Sequence, residues 1–302
     1  MNGVVLYAAI LLMIAFWSGN YIVGKIALRE FPPLLLVGLR IGCAGLFVLP
    51  FYGWERRGKP ASWTGRDVPV LLLLGVFGVT LNQLFFVVGL SRTSVAHSAL
   101  IVGLMPMQVL LLACLSGQER LTPRKAAGMT IALAGAAVLK IFEPTVGATN
   151  GSGATWLGDL FILLSGLFFA IFTVSGKATV KLHSAATVNT FAYVGGALAL
   201  APVTLWEASQ HPVGRASTAA WLSMLYMALF PSVLAYLIYY YALAHITASR
   251  LAAFQYLQPV FGTAMGVILL QKGRGRNGHY PPRRASSNCR TRTMAGTPPC
   301  SM

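Results

Sequence analysis

One arginine, Arg40, lies deep in an apolar stretch, 32–53. It is about eight residues from the nearer end, roughly 12 Å at helical rise. A guanidinium is a flat fork of donors that can grip a carboxylate through two parallel hydrogen bonds. A charge so placed faces a cavity or a partner, or else it pairs with backbone carbonyls or snorkels to an interface. Other polar groups interrupt similar runs. Trp17 and Asn20 flank Ser18 and Gly19, Asn82 and Gln83 are adjacent amides, and Gln255 and Gln258 lie three apart beside Pro259. That last spacing puts both glutamines on one helical face. Such amides either glue helices together or line a polar cavity. The substrate-binding candidates are therefore Trp17, Asn20, Arg40, Asn82, Gln83, Gln255 and Gln258, with Pro106 and Gln108 as the earlier counterpart of Gln258 and Pro259.

This is recognition chemistry. No catalytic residue, metal or cofactor is assigned. Cys43 and Cys114 lie in apolar runs and Cys289 and Cys300 near the end, without metal-ligand spacing. His97, at an expected span start, reads as structural before it reads as a proton relay. Asp159 suits a helix N-terminus, and Lys25 and Lys177 suit helix ends.

The elements that carry these residues follow from composition. The 302-residue chain is 56% hydrophobic and 10% charged, well short of the roughly 25% charged residues of soluble domains. Apolar runs long enough for a bilayer core, about 20 helical residues, occur near 4–24, 32–53, 69–90, 95–116, 126–142, 158–176, 186–206, 219–241 and 248–270. They are too long and too unalternating for barrel strands. The expectation is an all-α integral membrane protein with about nine spans.

The net charge of +16 implies lipid surface and not nucleic acid, because Lys and Arg concentrate in alternate links. Links 53–67, 117–125, 176–185 and 242–250 hold twice as many as the others, which places the N-terminus in the cytoplasm. The two halves also align. At an offset of 152, Gly24-Lys25 falls on Gly176-Lys177, Pro50 on Pro202 and Trp54-Glu55 on Trp206-Glu207; at 153, Ala99 falls on Ala252, Pro106 on Pro259 and Gln118 on Gln271. A duplicated unit with five spans, an odd number, must re-enter the membrane from the other side. The second copy is then inverted, an architecture with its substrate site near the midplane.

The segments "FWSGNYIVGKIALREFPPLLLVGLR" (16–40), "GQERLTPRKAAG" (117–128) and "YYALAHITASRLAAFQYLQPVFG" (240–262) resemble the EamA family of the drug/metabolite transporter superfamily. The resemblance implies a ten-helix carrier of the bacterial inner membrane, exporting amino acids or other small metabolites, and admits proton coupling and a homodimer. The expected units are a first repeat at 5–142, a second at 157–271 that lacks its last helix, and a basic tail at 272–302. After "ILLQ" (268–271) the chain turns basic and proline-broken where the first copy continues into a helix. An ancestral frame change explains this best, and a native disordered tail is the alternative. Rival functions are an integral membrane enzyme and a truncated transporter without activity. "GATNGSG" (147–153) lacks the Lys-Ser/Thr of a P-loop, so transport would draw on a gradient.

Overall fold

The computed structural model describes residues 3–57, 63–141, 155–211, 214, 216–262 and 264–265, apart from the side chains of 95–97, 132, 136–137 and 139–141. The tail at 272–302 and the His97 imidazole lie outside them.

Every element among the described residues is helical. The helices α1 (Gly3–Ala27) and α2 (Pro33–Glu55) are single rods. Pro33 opens α2, at a position where a missing N–H has no intrahelical partner to lose. The third span has three parts: α3 (Val68–Gly75), a π-helical segment Val76–Leu81, and α4 (Asn82–Arg92). The fourth breaks between α5 (Val95–Val102) and α6 (Met105–Leu115), ahead of α7 (Pro123–Ile141). The plan then recurs. α8 (Trp156–Leu182) and α9 (Ala185–Gln210) are rods. The next span consists of α10 (Thr218–Met227), a π-helical segment Ala228–Leu234 and α11 (Ala235–His245). Last come α12 (Ala248–Ala253), a 3₁₀ turn Phe254–Leu257 and helical residues 258–262.

The irregularities match as well as the rods. The π-helical segments start 152 residues apart, at Val76 and Ala228. The break between α5 and α6 falls, at 153, on the 3₁₀ turn. Packing across the halves is reciprocal: α2 lies on α9, α1 on α10 and α11, α8 on α3 and α4, and α6 on α12. The α2–α9 contact needs small residues. A Cβ on Gly38 would fall on the Thr204 side chain, and one on Gly45 would sit 3.4 Å from the Tyr193 carbonyl. Backbones this close gain dispersion contacts, the main drive for helix association in lipid.

Seven helices among the described residues are long and apolar enough to cross a membrane: 3–27, 33–55, 68–92, 98–115, 156–182, 185–210 and 218–245. Of the other two expected spans, α7 carries Arg124 and Lys125 at one end and Lys140 at the other, and the last, 248–270, includes residues 263 and 266–270, which lie outside the described ones.

Lys25 and Lys177 are helix-end pieces. Lys25 Nζ donates to the Thr93 carbonyl at 2.6 Å, and Lys177 Nζ to the carbonyls of Leu243, at 2.6 Å, and Ile246. Thr93 and Ile246 end α4 and α11, where last-turn carbonyls lack helical partners. In the second half, Thr155, Ser184, Ser217 and Thr247 cap the N-termini of α8, α9, α10 and α12. First-half carboxylates reach the same ends. Glu30 accepts from Ser217 N and Oγ at 2.6 and 2.5 Å, Glu55 from Ser184 Oγ at 3.0 Å, and Glu119 from Ser249 N at 3.1 Å and from its Oγ. Hydrogen bonds from Ser217 hold Glu30 below the usual carboxylate range, as a carboxylate gains stability at such an end.

Candidate substrate cavity

Between the halves lies a cavity of about 60 Å³, room for a handful of waters. All seven sequence candidates line it. α1 gives Trp17, Asn20 and Tyr21, which share one face at spacings of three and four. α2 gives Arg40, α4 gives Asn82, Gln83 and Phe86, and the segment after α12 gives Gln255 and Gln258. Val102, Met105, Phe169 and Tyr236 complete the wall. The sequence reading missed Tyr21, Phe86 and these four. The offset could have found the four: Phe169 lies 152 after Trp17, Tyr236 lies 153 after Gln83, and Val102 and Met105 lie 153 before Gln255 and Gln258. Gln108 takes another course, donating to the Leu163 carbonyl at 3.3 Å and pressing on Gly166. It joins α6 to α8.

The π-helical segments hold these side chains. A π turn frees carbonyls from the ordinary ladder. Here each segment serves residues of the opposite half. Trp17 Nε1 donates to the Pro231 carbonyl at 3.0 Å. Tyr236 OH lies 3.1 Å from the Gly78 carbonyl and 3.2 Å from Asn82 Oδ1, its one proton serving both, and Asn82 Nδ2 donates to the Ser165 carbonyl at 2.9 Å. Arg40 Nε donates to Ser232 Oγ at 3.0 Å, and that hydroxyl donates to the Met227 carbonyl at 2.9 Å. Pro231 gives one cause for the wider turn, since proline lacks the N–H and clashes with the preceding turn. In the first half Phe172 presses so closely on Gly78 that a Cβ there would lie 2.3 Å from its ring.

The aromatic side chains form a block. Trp17 meets Phe169, Tyr236 and Tyr239 with ring centroids 5.9, 5.9 and 5.6 Å apart, inside the range for favourable ring pairs. Against this wall several polar atoms are left over. Asn20 Oδ1, Arg40 Nη1 and both polar atoms of Gln255 are buried without a partner. Gln258 is engaged, accepting from Tyr21 OH at 3.0 Å. Unpaired buried donors and acceptors are costly, and their convergence on one cavity is how a recognition site for a polar small molecule is built.

Apolar helices long enough to cross a membrane, packed around a cavity with unpaired polar groups, have the build of a multi-pass membrane transporter. The profile of the EamA-like transporter family matches residues 4–141 and again 156–274, and the chain belongs to that family. It is 29% identical to an uncharacterized transporter of Archaeoglobus fulgidus, over 83% of this chain and 84% of the relative. It is 26% identical to the uncharacterized transporter YetK of Bacillus subtilis, over 88% and 80%. A probable terminal-alkyne amino-acid exporter of Streptantibioticus cattleyicolor is 25% identical over 72% of this chain and 68% of its own length. A solved crystal structure shares the fold, with a TM-score of 0.68 over 87% of this chain and 88% of its own, at 19% identity.

Proposed function

We propose that the chain is a secondary exporter of small carboxylate-bearing metabolites, amino acids or related compounds, working by alternating access in a bacterial inner membrane. One observation carries this reading: Arg40 is buried in the central cavity with Nη1 unpaired. A substrate carboxylate fits that donor, and Asn20 and Gln255 take the rest of a polar molecule. The seven lining candidates then act as substrate-binding residues. The paired irregularities and reciprocal packing support two repeats, and the alternation of basic links supports their inversion. Two similar halves in opposite orientation have two similar conformations, one open to each face. The name of the Streptantibioticus relative favours the amino-acid class.

The full chain in liposomes tests the activity. Counterflow of labelled L-amino acids supports a carrier, and its absence across all twenty rejects the class. Impermeant maleimide tests the orientation: Arg57→Cys reacts from the cytoplasmic side, and reaction from the opposite side overturns the inversion.

A further inference from the structure

The cavity holds one full charge, and among the described residues no opposite charge faces it. Arg40 is 1% exposed. Its Nε is committed to Ser232, Nη1 is free, and the titratable groups acting on it are the phenols of Tyr193 and Tyr236. The chain has seven acids, and those among the described residues are engaged elsewhere. Glu30 is held by Ser217, Glu55 by Ser184, Asp67 by Thr64, Glu119 by Ser249 and Lys125, Asp159 by Thr93, and Glu207 by His211. Glu143 lies outside the described residues.

A carrier changes face through an occluded state in which its cavity is shut from water on both sides. Open to either face, the guanidinium is hydrated. Shut and empty, it keeps only the few waters the cavity holds, and a charge left dry and unpaired is among the costliest groups in a protein interior. A bound carboxylate removes that cost, because charge-assisted pairing strengthens as the surroundings dry. The loaded carrier therefore passes through occlusion far more easily than the empty one.

We infer, on the carboxylate-binding reading above, that the protein is an obligate exchanger: it reorients only with a carboxylate bound to Arg40, and export of one carboxylate compound is coupled to entry of another. The driving gradient is that of the incoming carboxylate compound.

Two measurements on the full chain test this. The first needs no identified substrate. Phe86→Cys, in a background without the native cysteines, is labelled with impermeant maleimide in washed right-side-out and inside-out vesicles containing only a bulky sulfonate buffer. The expected result is labelling from one face in the empty protein and from both faces once L-alanine or L-lactate is added. Arg40→Gln, which keeps a donor for Ser232, and Arg40→Leu should be labelled from both faces without any addition. Equal two-faced labelling of the empty Arg40 protein overturns the inference, and so does one-faced labelling of both Arg40 variants. The second measurement is flux. Labelled probe should enter vesicles preloaded with unlabelled probe at least about tenfold faster than empty vesicles, the ratio set by the cost of drying one unpaired charge. Equal entry overturns exchange but leaves the binding site intact. If neither probe changes the labelling of Phe86→Cys at either face, the carboxylate site itself is wrong, which is a separate failure.

Discussion

The cavity walls contributed by the fourth span and by the segment after α12 occupy corresponding places, yet they differ in kind. Val102 and Met105 line the cavity in one half, and Gln255 and Gln258, 153 residues later, in the other. The backbone break is shared and the side chains are not. The same split separates Arg40 from Ala192, which lies 152 residues later. An arginine could not stand at 192, because α3 passes so close that a Cβ on Gly75 would come within 2.7 Å of the Ala192 Cα. The family profile matches both halves, while the charge and the amides of the cavity are not repeated between them. The proposed site needs that asymmetry for a single substrate: one charge to grip it, amides to read it and an apolar wall against which to seat it.

The sharpest way to break this comparison is to remove the charge. Arg40→Leu should abolish transport while the protein still reaches the membrane, and Arg40→Lys should lower kcat/KM about tenfold or more, because an ammonium cannot reproduce the planar fork. Liposome uptake beside membrane expression checks both. Making the polar wall resemble its partner comes next. Gln255→Val should cut transport about tenfold, the worth of one or two hydrogen bonds to substrate. Since both polar atoms of Gln255 are unpaired, the same change should raise the melting temperature in detergent. A variant that loses stability and keeps transport would move Gln255 from recognition to packing.

The two lysines sharpen the comparison at the helix ends. Lys177 serves two carbonyls and Lys25 one, so Lys177→Met should destabilise more than Lys25→Met. Each charged hydrogen bond is worth about 1.5–3 kcal/mol, and thermal melts in nanodiscs would rank the two. The smallest effect is expected at Glu119. Burial alone would raise its carboxyl, but hydrogen bonds from Lys125 and Ser249 outweigh this and hold it below the ordinary glutamate value. A folded-state value below the unfolded one gives stability that is present above the unfolded pKa and lost as pH falls through the folded one. Glu119→Gln should therefore lower stability at pH 7 by under about 1 kcal/mol, given solvent screening. The gap from the parent protein should close as the medium becomes acid.

Much of this was legible in the sequence. Amides and an arginine among apolar residues cannot face lipid cheaply, so Trp17, Asn20, Arg40, Asn82, Gln83, Gln255 and Gln258 stood out, and all line one cavity. Phe169 and Tyr236 did not stand out, because an aromatic residue in an apolar span looks the same whether it faces lipid, core or cavity. Only the repeat offset marks them. The π-helical segments were also hidden. Pro231 signals a disturbed turn, but at Val76–Leu81 the close neighbour is Phe172 on Gly78, a contact between residues 94 positions apart that no local pattern announces.

The pairing of α1 with α10 and α11 also sets a schedule for synthesis. About 190 residues separate the end of α1 from the start of α10, so at ribosomal speeds α1 waits roughly 10–40 s for its partner. Through that interval the indole N–H of Trp17 has no Pro231 carbonyl to meet and the Ser18 hydroxyl no second acceptor beyond Ile14. The newborn first helix has its first-half neighbours α4 and α5 and the Thr93 carbonyl for Lys25, but these polar groups of Trp17 and Ser18 stay open to insertases and membrane proteases until the second half arrives.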